Sequence, residues 1–318
     1  MVPALLDRGY EVLCITREPR KLEQRSWIDD PRVSVIQNDL AVRSSDTSAV
    51  EALSGCIAAF YLVRTPERDD HAVEHQLARR FGELTSEACI THIICLGQLT
   101  DARVDETESS DIELGPALES SLAAAGVAVT TLRSSMILGS GSASFEILRY
   151  LAERLPVMIT PRWVKTECQP IAIADVVHWL VESMVTPEAL GRTLEIGGRD
   201  IVSYRELMQI MAAELGLRRR WILSGPLLTP RLSSAWIGLV TPVTYREARP
   251  FTESLRHRVV VKNDLAQSLM PHDVLSVEDA VRRSLAVTVA GNVPTRWSAA
   301  GPMPGDPDWA GGKVFVDQ

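Results

Sequence analysis

Short apolar runs and one-sided apolar stripes alternate along residues 1–198. Val2 to Gly9 carries apolar residues at helical spacing and stops at a glycine, so the chain opens inside a helix. Glu11 to Thr16 (EVLCIT) then reads as a strand, Leu22 to Trp27 as a helix, Val33 to Ile36 as a short strand, Ser48 to Leu53 as a helix and Ile57 to Val63 (IAAFYLV) as a strand. His71 to Cys89 sets Val73, Leu77, Phe81 and Leu84 on one stripe, and Thr91 to Leu96 is the strand that follows, ending at Gly97-Gln98-Leu99. Asp101 to Ser110 is polar and acidic, a loop; Leu114 to Ala125 is helical and leads into an apolar run from Val127. Strands separated by helices of this length predict βαβ units: an α/β, doubly wound parallel sheet covered on both faces.

The stretch Val127 to Glu146 (VAVTTLRSSMILGSGSASFE) is the densest in signals. A β-branched strand, Val127 to Leu132, passes through Arg133-Ser134-Ser135 to the short run Met136-Ile137-Leu138, then to Gly139-Ser140-Gly141-Ser142, with Ser142 or Ser144 placed to cap a helix beginning near Phe145. Strand, glycine turn and helix N-terminus form a pattern that can hold an anion or a cofactor. Beyond it the alternation weakens. Phe145 to Leu155 and Ile173 to Met184 read as helices, Pro156 to Thr160 and Lys165 to Ile171 as extended segments, and Thr193 to Ile196 as a strand ending at Gly197-Gly198. Ser203 to Leu215 is a helix whose Ser203 and Glu206 make a capping box. Residues 226–286 are mostly helical by pattern, with prolines at 226, 230, 242, 250 and 271 setting element ends. This suggests a dinucleotide-type domain over 1–155, a smaller substrate-side α/β region over 156–286 and an aperiodic Gly-, Pro- and Trp-rich tail over 287–318.

Composition narrows the classes. The chain of 318 residues is 46% hydrophobic and 23% charged, ordinary for a globular protein, and its net charge of −8 argues against a nucleic-acid surface. The triplet Arg218-Arg219-Arg220 reads as a solvated helix end. Five widely spaced cysteines (14, 56, 89, 95 and 168) suit a reducing, cytoplasmic setting and supply neither a disulfide framework nor a metal frame. No apolar run reaches the roughly 20 residues of a membrane span, Ala235 to Val243 being broken by Pro242.

A doubly wound dinucleotide domain opens with a strand, a glycine fingerprint and a helix. Here the sequence starts in what would be that helix, so the first strand and fingerprint are not in it, and the chain as it stands is expected to bind a dinucleotide weakly or not at all. Arg17, at the end of the EVLCIT strand and backed by Arg20 and Lys21, offers charge to a ribose 2′-phosphate and favours NADP over NAD; the alternative is a set of solvated positives at a helix start. The succession EVLCITRE, NDL, AFYLV, ICLGQL, TTLRSSMILGSGSASFE, LPVMITPRWV and QPIAIADVV resembles atypical short-chain dehydrogenase/reductases, and more closely bacterial NmrA-like NAD(P)H-binding proteins that carry an extra C-terminal domain of unknown function. The resemblance spans about residues 1–286, and PTRW and DPDWAGG in the tail look like the start of that extra domain.

The resemblance implies that Asp39 and Leu40 lie beside the adenine, that Tyr61, Leu62 and Val63 run along the cofactor, and that Leu96, Gly97 and Gln98 flank the nicotinamide ribose. It implies further that Arg133, Ser134 and Ser135 close over the nicotinamide, and that Pro170, Ile171 and Asp175 buttress the substrate side. Plain core packing is the competing role for Tyr61 and Leu96, and a helix-dipole charge for Asp175. Placed in this order, Gly139, Gly141, Ser142 and Phe145 fall at the nicotinamide and substrate end, where any phosphate bound would be the substrate's. The family's catalytic forms pair a tyrosine with a lysine four residues on, but the four lysines here follow Arg17, Pro161, Arg258 and Trp309 at that spacing. Gly97 stands where those forms place a serine. Tyr150 with Arg154 imitates the pair only in spacing, since arginine cannot relay a proton. His71 and His75 have ligand spacing but no third partner, and neither Ser135 nor Ser142 stands in a nucleophile-elbow frame. Two functions follow as expectations: an NADP-dependent oxidoreductase of atypical mechanism acting on a small organic molecule, or a cofactor-binding sensor or assembly factor without turnover.

Overall fold

The structure is a computed structural model and describes residues 1–23, 25–42, 46–63, 71–99, 110–160, 162–224 and 257–289. Asp69-Asp70, the acidic loop over 101–109, Ala235–Val243, Pro226, Pro230, Pro242 and Pro250, and the tail from 290 with Trp297 and Trp309 lie outside them. In chain order the elements are α1 (Val2–Asp7), β1 (Val12–Thr16), β2 (Val33–Gln37), α2 (Asp46–Leu53), β3 (Ala59–Tyr61), α3 (His71–Glu87), β4 (His92–Gln98), α4 (Ser110–Ala123) and β5 (Ala128–Ser134). They continue with β6 (Ile137–Leu138), α5 (Ala143–Arg154), β7 (Val157–Thr160), β8 (Glu167–Cys168), β9 (Ile171–Ala172), α6 (Ile173–Val185) and β10 (Thr193–Ile196). Last come β11 (Val202–Ser203), α7 (Tyr204–Glu214), β12 (Trp221–Ser224), α8 (Leu265–Leu269) and α9 (Val277–Val289). Where a helix was expected over Leu22–Trp27, a short 3-10 turn, Pro19–Leu22, forms instead, because Pro19 starts it early.

The central sheet has the order β10-β5-β4-β3, every pair parallel. Its strands read as continuous apolar runs because both faces are covered. On one face Ile93, Cys95 and Tyr61 meet Phe81 and Leu84 of α3 and Leu122 of α4; on the other Ile94, Leu132, Leu194 and Ile196 meet Val176, Trp179 and Leu180 of α6. The outermost strand β10 therefore comes from the expected substrate-side stretch. A buried polar knot secures it: Thr130 Oγ1 donates to the Ala189 carbonyl (2.7 Å), accepts from Gly191 N (3.1 Å) and lies 2.8 Å from His92 Nε2. β1 and β2 form a separate parallel pair whose Leu13 and Ile15 pack on the same core as Ala59 and Tyr61. Among the described residues, β1 is hydrogen-bonded to β2 alone and β3 to β4 alone.

A third core joins α5, α7 and α9 around Phe145, Met158, Leu207, Met211 and Val281. The expected capping box starts α7, with Ser203 and Glu206 exchanging bonds of 3.2 and 2.7 Å, and Asp200 accepts from Val277 N at the head of α9 (2.8 Å). The Arg triplet departs from a simple solvated run. Arg220 donates to the Ala152 and Glu153 carbonyls at the end of α5, and its backbone exchanges bonds with Gln209, which delivers the chain into β12, a strand that the pattern did not announce.

Near the amino terminus, Arg8 pairs with Glu182 and so ties α1 to α6. On the same face of α6, His178 stacks on His272 with ring centroids 3.9 Å apart and 17° between planes, and buried Asp175 accepts from His272 Nε2 (2.8 Å) and Leu275 N (3.0 Å). Burial, His272 and Arg8 lower the His178 pKa against the pull of Glu182 and Asp175. The folded state thus keeps His178 neutral to lower pH than the unfolded chain does. The unfolded chain binds more protons in that interval, so stability is expected to fall as pH drops below about 6.5. His178→Phe, which preserves the stack, is expected to flatten that acid slope in denaturant melts taken across pH; an unchanged slope would remove His178 as its source. Helix contact gives a second test. A Cβ at Gly82 of α3 would lie 2.3 Å from the Leu122 carbonyl oxygen of α4. Alanine's helix propensity favours Gly82→Ala by about 1 kcal/mol, but overpacking costs roughly 1–3 kcal/mol or more, so urea unfolding is expected to show net destabilisation.

Candidate functional site

Parallel pairing brings the carboxyl ends of β3, β4 and β5 to one edge, where an open α/β sheet leaves a crevice. β4 and β5 run in register from His92↔Ala128 to Gln98↔Ser134, and Leu99 N donates to the Ser134 carbonyl at 2.8 Å, which draws the two exits together. Ser134 is buried, and the Ser135 hydroxyl oxygen is buried without a hydrogen-bond partner among the described residues. A buried hydroxyl in that condition is costly unless something meets it. Leu62 and Val63, just beyond β3, are 45% and 46% exposed, apolar surface at the crevice rim. Gln98 is also exposed, whereas Leu96 turns partly into the core under α6.

Gly97 faces Arg133 across the pair, and a Cβ there would press on the Arg133 and Thr131 side chains at 3.2 Å. Arg133 does not reach over the edge: its Nε and Nη2 both donate to Glu119 Oε1 of α4 (2.9 and 2.7 Å), while Glu119 Oε2 accepts from Thr193 of β10 (3.3 Å). Beside them Cys95 bonds Thr131, and burial pushes its thiol up to about 11, an unreactive group at neutral pH. Tyr61 is core: it packs on Phe81 with ring centroids 5.1 Å apart, and burial, with Glu74 and Cys95, raises its pKa well above the usual phenol.

On the adenine side, Arg17 and Arg20 are exposed after β1, and Gln37 Nε2 donates to the Arg17 carbonyl (3.0 Å), holding the β1 and β2 exits together. Asp39 and Leu40 follow β2; Asp39 Oδ1 caps its own turn by accepting from Ala41 N (3.0 Å), and Leu40 leans on the core. The sites named from sequence therefore fall into two groups, Arg17, Arg20, Asp39 and Leu40 at one pair of strand exits and Leu62, Val63, Gly97, Ser134 and Ser135 at the other.

The glycine turn is closed from within. Gly141, at φ +81°, donates its N–H to Glu146 Oε1 (3.3 Å), and Ser142 Oγ accepts from Phe145 N (3.3 Å) as the cap of α5. A carboxylate thus stands where a phosphate would be cradled. Glu146 is 2% exposed and is bound by Arg149 (2.9 Å), which also holds Glu153 (2.9 Å). Burial works against the Arg149 charge, yet Glu146 and Glu153 raise its pKa above the ordinary arginine value. Phe145 is fully buried in the third core, away from any open surface, and Gly139 tucks under half-exposed Ile173 of α6. Pro170 and Ile171 form the floor: Ile171 N donates to the Met136 carbonyl (3.0 Å), and Gly198 packs so tightly on Pro170 that a Cβ would lie 2.0 Å from its oxygen. Asp175 is engaged with His272 and Leu275, tying α6 to the segment that leads into α9.

Glu146 and Glu119 were missed as site-shaping residues. Glu146, four residues after Ser142, carried a usable signal, an acid in the first turn of a capped helix; Glu119 carried none, because its partner Arg133 lies across a tertiary contact. Tyr150 is buried, with the Arg149 and Arg154 guanidiniums stacked on its ring at 4.4 and 4.6 Å, and burial raises its pKa, opposite to what an acid–base tyrosine needs. His75 shares a 3.3 Å hydrogen bond with Ser121 of α4.

No protein-family model and no curated protein matches the sequence. Among solved structures, the chain is similar to an NADPH-dependent quinone oxidoreductase of Escherichia coli complexed with NADPH, at 15% identity and TM-score 0.67, over 89% of this chain and 94% of that one. It is similar to Citrobacter sp. triphenylmethane reductase complexed with NADP(H), at 14% identity and TM-score 0.64, over 86% and 90%. It is also similar to a nucleoside-diphosphate-sugar epimerase of Staphylococcus aureus, at 15% identity and TM-score 0.66, over 88% and 94%. The architecture is thus the doubly wound, Rossmann-like one that epimerases and reductases share. At these identities the likeness is one of fold.

The inward carboxylate gives a direct test. Glu146→Ala removes the more deeply buried of the two carboxylates that hold Arg149 and the acceptor of the Gly141 amide, and is expected to cost about 3 kcal/mol in chemical unfolding. Glu153→Ala, removing the more exposed partner, is expected to cost about 1 kcal/mol or less.

Proposed function

We propose that the protein is an NAD(P)H-binding oxidoreductase of atypical mechanism that passes hydride to a small organic acceptor at the exits of β4 and β5. The observation that supports this most is the buried Ser135 hydroxyl, without a hydrogen-bond partner among the described residues, beside the Gly97–Gln98 edge and the exposed apolar rim of Leu62 and Val63. Ser135 would meet the polar group of a nicotinamide or of the acceptor. The apolar rim would lie against a planar ring, and Arg17 with Arg20 would take a 2′-phosphate, which favours NADP with NAD as the lesser partner. The hydride is the cofactor's contribution; the chain's own residues orient, cover and exclude water. The solved structures of similar fold that carry NADPH or NADP(H) support the same reading.

The described residues offer no lowered tyrosine at this edge, since Tyr61 and Tyr150 are both raised. An acceptor that takes hydride without a strong acid beside it, a quinone or another conjugated electrophile, fits better than a simple ketone. The same observation favours a second reading, a cofactor-binding sensor or assembly factor with no turnover. The two separate on NADPH oxidation across a panel of quinones and carbonyls: turnover on quinones supports the reductase, and saturable NADPH binding with no turnover on any acceptor supports the sensor.

Arg17→Ala with Arg20→Ala is expected to weaken NADPH by about tenfold or more while leaving NADH unchanged, measured by fluorescence titration; equal losses for both cofactors would contradict the 2′-phosphate role.

A further inference from the structure

The pair β7–β12 carries a surface that neither the fold nor the site explains. Its strands are parallel and in register, Val157↔Trp221 to Thr160↔Ser224. Successive side chains alternate faces, and the inner face is complete: Met158 is 0% exposed and Ile222 2%. The outer face is the unusual one. Trp221 is 71% exposed, Ile159 60%, Leu223 56% and Val157 54%, and the register makes them two facing pairs. A strand pair with one solvated face ordinarily places polar residues outward, so four large apolar side chains together form a patch rather than scattered exposure.

Charge adjoins that patch. Arg218 and Arg219, both exposed, lead directly into Trp221, and neither makes an ion pair among the described residues. Arg220, by contrast, is spent on the α5 carbonyls and fixes the start of the strand. The chain as a whole carries −8, so two exposed cations that make no ion pair among the described residues, next in sequence to an indole and its aliphatic neighbours, are a local exception to its charge. An indole with aliphatic side chains suits the boundary between headgroups and acyl chains, and adjoining arginines suit anionic headgroups.

We propose that the outer face of β7–β12 is a docking surface for an anionic lipid bilayer, with Trp221, Leu223, Ile159 and Val157 entering the interface and Arg218 and Arg219 contacting headgroups. This goes beyond the cofactor reading and does not rest on it. The association is peripheral; no helix among the described residues is long and apolar enough to cross a membrane.

Co-flotation of the full chain with vesicles of phosphatidylcholine, with and without a fraction of phosphatidylglycerol, tests it. Wild type is expected to float with the anionic vesicles, about thirtyfold more strongly than with the zwitterionic ones, a factor that two arginines supply, and to lose that preference at high salt. Arg218→Gln with Arg219→Gln, both on exposed sites, is expected to abolish the preference while the thermal melt stays cooperative. Trp221→Gln with Leu223→Gln is expected to weaken flotation more than about tenfold while the thermal melt stays cooperative. Absence of flotation on both vesicles would overturn the proposal. So would wild-type self-association that Trp221→Gln with Leu223→Gln abolishes without any vesicle binding, since that outcome makes the face a contact between copies.

Discussion

The seven-residue parallel pairing of β4 with β5 is the constraint on which the other parts depend. The strands of this sheet are apolar on both faces, so each face needs a helix layer, and the chain supplies α3 and α4 on one side and α6 on the other. Parallel direction also sends every carboxyl end to the same edge. The crossing from β4 at Gly97 and the crossing from β5 at Ser135 therefore lie side by side, whatever the loops contain. Burial of Ile93, Ile94 and Leu132, at roughly 1.5–3 kcal/mol each, holds that edge in place.

Charge then decides which parts of the edge remain available. Glu119 draws Arg133 down onto α4, and Glu146 fills the glycine turn that would otherwise receive an anion. Both carboxylates act by satisfying groups that look like ligand contacts when sequence alone is read. Among the described residues at these exits, the Ser135 hydroxyl meets no hydrogen-bond partner, and Leu62, Val63, Arg17 and Arg20 are exposed. The dinucleotide we propose has parts that match them: a carboxamide, planar rings and a ribose phosphate.

Much of the fold was legible in residues. The alternation from EVLCIT through TTLRSS gave the doubly wound class, and Ser203 with Glu206 gave the start of α7, because these signals are local and each has a short-range mechanism. The failures were of partnership. Periodicity marked Thr193–Ile196 as a strand but could not say that it lies beside β5 in the central sheet. Phe145, read as the start of a substrate-side helix, is fully buried, because that helix packs on α7, a partner that local pattern does not name. Trp221–Ser224 escaped notice because three arginines precede it, and Arg220 proved to be a cap for a helix nearly seventy positions earlier in the chain. The site residues named from sequence lie at two sets of strand exits, but Tyr61 and Arg133 turn their side chains inward, a matter of strand parity and tertiary charge rather than of motif.

The central claim is that a dinucleotide lies across the strand exits with its reactive end at β4 and β5, leaving the Gly139–Ser142 turn to Glu146. Amide hydrogen exchange with and without saturating NADPH tests it most directly. Added protection is expected at 16–20, 61–63, 96–99 and 133–136, with 139–146 unchanged. Protection centred on 139–146, with none at 96–99 and 133–136, would contradict it.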